Sequence, residues 1–252
     1  VLGVRADVAD AVGDAGAVDQ RLAPREQRVR QAPKGGQALY EPKSNSTALD
    51  TLIPVNMASA AQSALARVAE KHGSVDTLVA DRLGYKETDL PKYFSAEQVD
   101  AIALAVDNIE RGAAFILGDQ TGIGKGRVVA GLLRYAMKRG LTPVLVTEKP
   151  DLYGDMFRDL RDIGVPEMLG RDIRMLPTNS GMTAVPLDEA AVEWKAKRDT
   201  ALEKGEKAPA KRGLFLSAPS AAKASEAMAS VAQGGNDFDI VLTTYDQMNT
   251  VR

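Results

Sequence analysis

The residues that could do chemistry lie in one glycine-rich stretch, GDQTGIGKGR, at residues 118–127. Gly122 and Gly124 permit a tight turn whose backbone N–H groups face inward, and Lys125 places a cation beside them. Backbone donors and a lysine at the start of a helix are the groups that hold the phosphates of a nucleotide. The stretch therefore predicts a phosphate-binding loop, in which Lys125 binds the terminal phosphates and stabilises the charge that develops during catalysis.

The last position of this loop departs from the usual pattern. Phosphate-binding loops carry a serine or threonine after the lysine, and its hydroxyl binds Mg²⁺. This chain has Gly126 there, which keeps the backbone N–H but removes the metal ligand. Water can substitute, because Mg²⁺ readily keeps several waters. We therefore predict a nucleotide and Mg²⁺ as cofactors, with the protein ligands of the metal elsewhere, and we assign no residue of this chain to the metal.

The segments around the loop alternate between strand and helix patterns. The apolar run AAFIL, residues 113–117, predicts a buried strand leading into the loop, and RVVAGLLRYAMKRG predicts the helix after it. TPVLVTE, RDIRML and DIVLTT predict further buried strands, separated by helical segments. Strands that alternate with helices indicate a parallel sheet with right-handed crossovers. The predicted fold class is α/β, a P-loop parallel sheet flanked by helices, with a mainly helical N-terminal extension.

The pattern also divides the chain into regions. Residues 1–50 are predicted to form a poorly ordered or extended arm, because they contain few large apolar side chains. Residues 51–93 are predicted to form the helical extension, and 94–252 the ATP-binding domain, with a polar helical insertion at about 186–235. The domain opens on the helix FSAEQVDAIALAVDNIERG, in which Ser95 and Gln98 have the spacing of a capping box.

Composition excludes several other classes of site. The chain has 252 residues, of which 44% are hydrophobic, as expected of an ordinary globular protein. Without cysteine it has neither disulfides nor thiolate metal sites, and its single histidine, His72, argues against a histidine metal centre or a catalytic triad. It has no apolar run of membrane-spanning length, so we expect no membrane partner. A net charge of −2 argues against binding nucleic acid by overall charge but leaves a local basic groove open.

Several motifs together resemble the strawberry notch family of superfamily-two helicase-like ATPases, including its phage- and plasmid-encoded relatives. DQTGIGKGR resembles motif I of that family, which also tolerates glycine after the lysine. YFSAEQVDAIALA resembles the segment with the adenine-contacting glutamine. PVLVTEKPDLYGDMFRDLRDIG resembles motif Ia with its following helix, and DIVLTTYDQM resembles motif Ib. The resemblance covers roughly residues 50–250 and implies the first RecA-like domain of a longer protein.

The resemblance implies roles for individual residues. Its nucleotide-binding set comprises Gln98 for adenine and, for the phosphates, Gly122, Ile123, Gly124, Lys125, Gly126 and Arg127. Its nucleic-acid contacts fall at two strand ends, on Thr147, Lys149, Thr243, Thr244 and Tyr245. Alternatives stay open: Gln98 could only cap its own helix, Arg127 could face solvent, and the strand-end residues could be ordinary loop polarity.

The resemblance further implies nucleic-acid-dependent ATP hydrolysis, driving helicase or translocase activity, in the full-length protein. Motif II, the arginine finger and a second RecA-like domain would come from the remainder of the chain, so the fragment alone is expected to be inactive. The expected partners are nucleic acid, in particular DNA, the second RecA-like domain and a methyltransferase. The expected location is the cytoplasm of a bacterium or phage-infected host, or a virion. Two other functions remain open: a non-catalytic RecA-like scaffold or interaction module, and a small-molecule kinase.

Overall fold

The structure is a computed structural model of the chain and describes residues 36–118 and 124–249. These residues divide into two compact units, with the boundary after Val128. We call the described residues up to Val128 the loop unit and those from Val129 onward the sheet unit. Within the described ranges, no helix combines the length and the apolar character needed to cross a membrane.

The loop unit is mainly helical. Its two short strands pair antiparallel, with Ala38 opposite Ile53. Its elements are β1 (Gln37–Leu39), β2 (Leu52–Pro54), α1 (Val55–His72), α2 (Val75–Leu83), a 3₁₀ turn (Glu87–Asp89), α3 (Leu90–Tyr93), α4 (Ala96–Glu110) and the start of α5 (Lys125–Lys138).

The core of the loop unit follows from helical periodicity. Apolar side chains three or four positions apart form one stripe on each helix, and these stripes pack together. The fully buried side chains include Leu65 of α1, Leu78 of α2 and Val99, Ile102 and Val106 of α4. The helices predicted between residues 57 and 110 are thus present, and α4 carries the predicted capping box.

Residues 40–49, which we call the strap, differ from the predicted extended arm. Their donors bond to three carboxylates at the N-terminal turns of α2 and α4. The Tyr40 hydroxyl and the backbone N–H groups of Lys43 and Ser44 all donate to Asp100, at 2.9, 2.8 and 3.0 Å. Asp76 and Glu97 accept further strap donors. These long-range hydrogen bonds hold the strap against α2 and α4, although its residues are of the types common in loops. Residues 1–35 of the predicted arm lie outside the described residues.

The sheet unit contains a three-stranded parallel sheet with the order β3-β7-β4. β7 is the central strand and is buried along its whole length, as its apolar sequence requires. The α/β fold class with helices flanking a parallel sheet is therefore confirmed. Its elements are β3 (Val144–Thr147), α6 (Leu152–Asp162), α7 (Val165–Leu169), β4 (Met175–Pro177), β5 (Val185–Pro186), α8 (Glu189–Glu203), β6 (Phe215–Leu216), α9 (Ala221–Ala232), β7 (Ile240–Thr244) and α10 (Tyr245–Asn249).

One carboxylate anchors the beginnings of two strands of this sheet. Asp239 precedes β7 and accepts two hydrogen bonds of 2.6 Å from the guanidinium of Arg171. It also accepts the backbone N–H of Arg174, just before β4, at 2.7 Å. Burial disfavours the charge of Asp239, but the bonds from Arg171 and Arg174 outweigh it and lower its pKa to about 2.

The region predicted as a polar insertion contains α8, β6 and α9. β5 and β6 pair antiparallel on either side of α8. Trp194 docks this helix: its ring meets Phe215 edge to face at 5.4 Å, and its indole N–H donates to the Pro209 carbonyl at 3.0 Å. The lone tryptophan therefore has a structural role in the insertion.

The prediction of a strand that leads into the loop is wrong. Residues 113–118 have no strand conformation, and Ile116 is 90% exposed. A strand forms only where a neighbouring strand completes its backbone hydrogen bonds. Among the described residues no strand lies along this run, so its apolar composition is not sufficient to make it one.

Candidate functional site

The described part of the glycine-rich loop consists of Gly118 and residues 124–127. The φ of Gly124, +79°, lies in the left-handed region, which favours glycine. A Cβ atom at this position would lie 2.4 Å from the side-chain nitrogen of Gln98. The backbone conformation therefore favours glycine at position 124, and a larger residue would also require the Gln98 amide to move. Two predicted phosphate-binding residues, Gly122 and Ile123, lie outside the described residues.

Helix α5 begins directly after this glycine. Lys125, Gly126 and Arg127 form its first turn and are half-buried. The first backbone N–H groups of a helix have no partner within the helix and, with the helix dipole, favour an anion. The predicted order of glycine, lysine and helix start is thus present, and Gly126 contributes no side chain that could reach a metal.

Gln98 joins the N-terminus of α4 to the loop. Its side-chain oxygen accepts the backbone N–H of Ser95 at 3.0 Å, and the Ser95 hydroxyl accepts the backbone N–H of Gln98 at 3.3 Å. Its side-chain nitrogen donates to the carbonyl of Gly124 at 3.4 Å. The predicted capping box is confirmed, and the contact with Gly124 is an addition that the capping pattern did not contain. The adenine contact implied by the resemblance stays a prediction.

Arg127 makes a second link between the first turn of α5 and the segment before α4. Its guanidinium donates to the backbone carbonyl of Tyr93 at 3.4 Å. The Tyr93 ring in turn stacks on Tyr85, with 4.7 Å between the ring centroids. Arg127 is therefore half-buried against the protein, and its predicted contact with phosphate stays a prediction.

A buried carboxylate lies in α4 two residues after Gln98. Burial raises the pKa of Asp100 to about 6, although hydrogen bonds from Lys43, Tyr40 and Ser44 of the strap oppose the rise. Asp76 adds to the rise because it is a second negative charge nearby. The first turns of α4 are thus held by the strap through a group that titrates close to neutral pH.

The sheet unit holds the strand-end residues predicted to contact nucleic acid. The side chains of Thr147, Thr243 and Thr244 are buried. The Thr243 hydroxyl accepts a bond of 2.8 Å from Thr178, and the Thr244 hydroxyl accepts one of 2.8 Å from Asn179. Thr243 and Thr244 therefore bond to residues that follow β4, and these bonds connect the carboxyl ends of the two strands.

The remaining two strand-end residues differ from the threonines. The Lys149 side chain is 70% exposed, and its backbone carbonyl accepts the Thr147 hydroxyl at 3.0 Å. Tyr245 begins α10, and its hydroxyl is buried with no hydrogen-bond partner among the described residues. Lys149 is thus the predicted nucleic-acid residue with the most exposed side chain.

Sequence reasoning missed two members of this strand-end network. Asn179 is buried, and its side-chain oxygen accepts the hydroxyl of Tyr153 in α6 at 2.8 Å. Burial raises the pKa of Tyr153 to about 12. The signal for Asn179 was its place directly after a predicted strand, in the sequence LPTNSG. Tyr153 gave no comparable signal, because its partner is 26 residues away.

The described residues fit a phosphate group better than they fit a metal. Backbone donors at the start of α5 and Lys125 are suited to an anion. In the part of the chain that the structure describes, no group of three or more His, Asp or Glu residues is arranged to hold a metal ion. The loop can therefore hold phosphates by backbone and lysine, while ligands for Mg²⁺ remain unassigned.

Comparison with known proteins supports this assignment. Protein strawberry notch homolog 2 of mouse (Mus musculus) is 40% identical over 79 residues, which make up 29% of this chain and 6% of the relative. Protein strawberry notch homolog 1 is 38% identical in chicken (Gallus gallus) and 36% identical in human (Homo sapiens), over 85 residues in each case. Those residues are 31% of this chain and 7% and 6% of the two relatives. No solved structure matches the chain.

The family match covers a larger part of the chain than these relatives do. Residues 59–205, more than half of the chain, match the family described as P-loop containing NTP hydrolase pore-1. This range includes α4 with Gln98, the glycine-rich loop at 118–127 and the start of α5. The predicted resemblance to the strawberry notch proteins is thereby confirmed, and the chain belongs to the P-loop containing NTP hydrolase pore-1 family.

Proposed function

We propose that the chain binds ATP through the loop at 118–127, and that the whole protein couples ATP hydrolysis to movement along nucleic acid. The observation that carries the proposal is the arrangement around Gly124. This glycine has a left-handed φ, packs on Gln98 and directly precedes the first turn of α5, where Lys125 lies. A lysine at the start of a helix that follows a glycine-rich turn is the arrangement that binds the phosphates of a nucleotide.

The chemistry of the site is electrostatic. Lys125 and the backbone donors of the loop would hold the phosphates and stabilise the negative charge that develops at the γ-phosphate during attack by water. A bound Mg²⁺ would supply positive charge that neutralises part of this negative charge. Gly126 offers only its backbone. The metal ligands and the residue that orients the attacking water would therefore come from other positions of the whole protein.

The proposed nucleic-acid contact is the carboxyl edge of the sheet. Open α/β sheets bind ligands where their strands end, and Lys149 presents an exposed cation there. We assign contact with the phosphate backbone to Lys149, and a supporting role to Thr147, Thr243, Thr244 and Tyr245, because the three threonines and the Tyr245 hydroxyl are buried. Such contacts position the nucleic acid without reading its bases.

The test is ATP hydrolysis by the whole protein, measured alone and with single-stranded DNA, duplex DNA or RNA. We expect stimulation by nucleic acid, in particular DNA, and its loss in Lys125→Ala. Hydrolysis without stimulation, together with phosphate transfer to a small molecule, would identify a kinase instead. Absence of both activities in a protein that folds normally would identify a non-catalytic scaffold.

A further inference from the structure

We propose that Gln98 is a positioning residue for the phosphate-binding loop and acts on the phosphates rather than on the base. The proposal rests on the proposed function, since it assumes that the loop binds a triphosphate. Gln98 is 6% exposed, so its amide lies inside the loop unit. Its two polar atoms are divided between two backbone segments, with the oxygen bonded to Ser95 and the nitrogen to Gly124.

The hydrogen bond from Gln98 to Gly124 is made to the peptide unit that precedes Lys125. Gly124 directly precedes Lys125, so its carbonyl belongs to the peptide unit whose N–H is that of Lys125. This carbonyl also accepts the backbone N–H of Arg127 at 2.9 Å, and the bond from Gln98 at 3.4 Å adds a second restraint on the plane of that peptide unit, because the peptide is planar. The direction of an N–H group in the predicted phosphate cradle therefore depends on the Gln98 amide.

The helix turns that carry Gln98 are themselves bonded to the strap. The neighbouring Glu97 accepts the backbone N–H of Leu49 at 2.8 Å, and the Thr47 carbonyl accepts the backbone N–H of Ala96 at 3.0 Å. Asp100, two residues further on, accepts three strap donors. The first turns of α4 are thus bonded both to the strap and, through Gln98, to Gly124, so the backbone that carries the amide is held in place.

A positioning role and an adenine contact predict different ligand preferences. If Gln98 orients the loop, its removal weakens every ligand that carries a triphosphate, including one with no base. If Gln98 contacts adenine, its removal weakens ATP and leaves inorganic tripolyphosphate unchanged. The ratio of the affinities for ATP, GTP and tripolyphosphate therefore separates the two roles.

The experiment is calorimetric titration of the 252-residue chain with ATP, GTP and inorganic tripolyphosphate, each in the presence of Mg²⁺. Gln98→Leu removes the amide at nearly constant size, and we expect all three ligands to bind about three- to tenfold more weakly, the effect of one lost hydrogen bond. Gln98→Glu is the second variant, because glutamate keeps the capping box but cannot donate to the Gly124 carbonyl. We expect the same loss across the three ligands.

Ser95→Ala is the matched control. It removes one bond of the same capping box and leaves the contact between Gln98 and Gly124 in place. We expect a lower melting temperature and affinities within about twofold of the wild type for all three ligands. A loss confined to ATP in the Gln98 variants, or wild-type affinity for all three ligands in Gln98→Glu, would overturn the positioning role. If the wild type binds neither ATP nor tripolyphosphate, the proposed function itself fails.

Discussion

The loop unit and the sheet unit bury acidic groups in opposite ways. In the loop unit, Asp100 is bonded by a phenol and two backbone N–H groups, all neutral, and its pKa rises to about 6. In the sheet unit, Asp239 is bonded by two arginines and its pKa falls to about 2. Burial disfavours a charge; at Asp100 the hydrogen bonds from neutral donors do not offset this effect, whereas at Asp239 the bonds from Arg171 and Arg174 do. The sheet is thus anchored by a paired charge, while the helix beside the loop is anchored by a charge that burial makes costly.

The largest expected effect is the loss of the anchor in the sheet unit. We expect Asp239→Ala to lower the free energy of unfolding by about 2–3 kcal/mol, because it removes the charged hydrogen bonds that this buried carboxylate accepts from Arg171 and Arg174. Urea denaturation followed by tryptophan fluorescence measures this directly, since the single tryptophan, Trp194, lies in the same unit. The control is Asp237→Ala, which removes an exposed carboxylate two residues away and should change stability by less than about 0.5 kcal/mol.

The two carboxylates should affect stability in opposite directions as the pH changes. The raised pKa of Asp100 makes its contribution greatest below its ordinary value of 3.8, and the contribution is lost as the pH rises through about 6. The difference corresponds to about 3 kcal/mol. The lowered pKa of Asp239 gives stability that is present above 3.8 and lost as the pH falls through about 2.

Carbon-13 NMR titration of the side-chain carboxyl groups measures both pKa values. The comparison between the units would break down if Asp100 titrated near 4, or if the two groups titrated together. Urea denaturation of Asp100→Asn between pH 4 and 7 provides the matching stability measurement. Its stability relative to the wild type should rise with pH across this range.

Two glycines of the loop unit have similar φ angles but different surroundings. Comparing their substitution by alanine separates the cost of backbone strain from the cost of a side-chain contact. Gly112 has a φ of +76° and open space where a Cβ would be, whereas Gly124 has a φ of +79° and Gln98 there. We expect Gly112→Ala to cost about 1 kcal/mol, from backbone strain alone. Gly124→Ala should cost about 2 kcal/mol, because the Gln98 amide must also move, and it should weaken ATP binding. Thermal melting and calorimetry measure the two effects, and equal results for both variants would contradict the role of Gln98.

The smallest expected effect concerns the strand ends of the sheet. Tyr153→Phe removes the bond to Asn179 and should lower the free energy of unfolding by about 1 kcal/mol. ATP affinity should not change. A loss of ATP affinity as large as that of Gly124→Ala would show that this network belongs to the nucleotide site rather than to the scaffold.

Local patterns in the sequence were sufficient for much of the fold. The period of apolar residues predicted α1, α4, α5 and the strands β3, β4 and β7, and the spacing of Ser95 and Gln98 predicted the capping box. Each of these signals lies within one element, so that neighbouring residues determine it.

Features that depend on distant partners could not be predicted. The strap bonds to Asp100 across 57 positions, and its loop-like composition gives no sign of this. The run at 113–117 has the composition of a strand, but strand formation depends on a neighbour that no local pattern specifies. Thr243 and Thr244 were predicted to contact nucleic acid because ligands bind at the carboxyl ends of strands. Their hydroxyls instead bond to Thr178 and Asn179, 65 positions away, which no local pattern indicates.

The most direct test of the central claim is ATP binding to Lys125→Ala. We expect calorimetry to show ATP binding, in the presence of Mg²⁺, by the 252-residue chain, and a loss of at least about tenfold in affinity when the Lys125 ammonium is removed, because a charged hydrogen bond to phosphate is lost. Lys138→Ala, at the opposite end of α5, should bind ATP as the wild type does. Undiminished ATP affinity in Lys125→Ala would contradict the assignment of the loop as the phosphate-binding site.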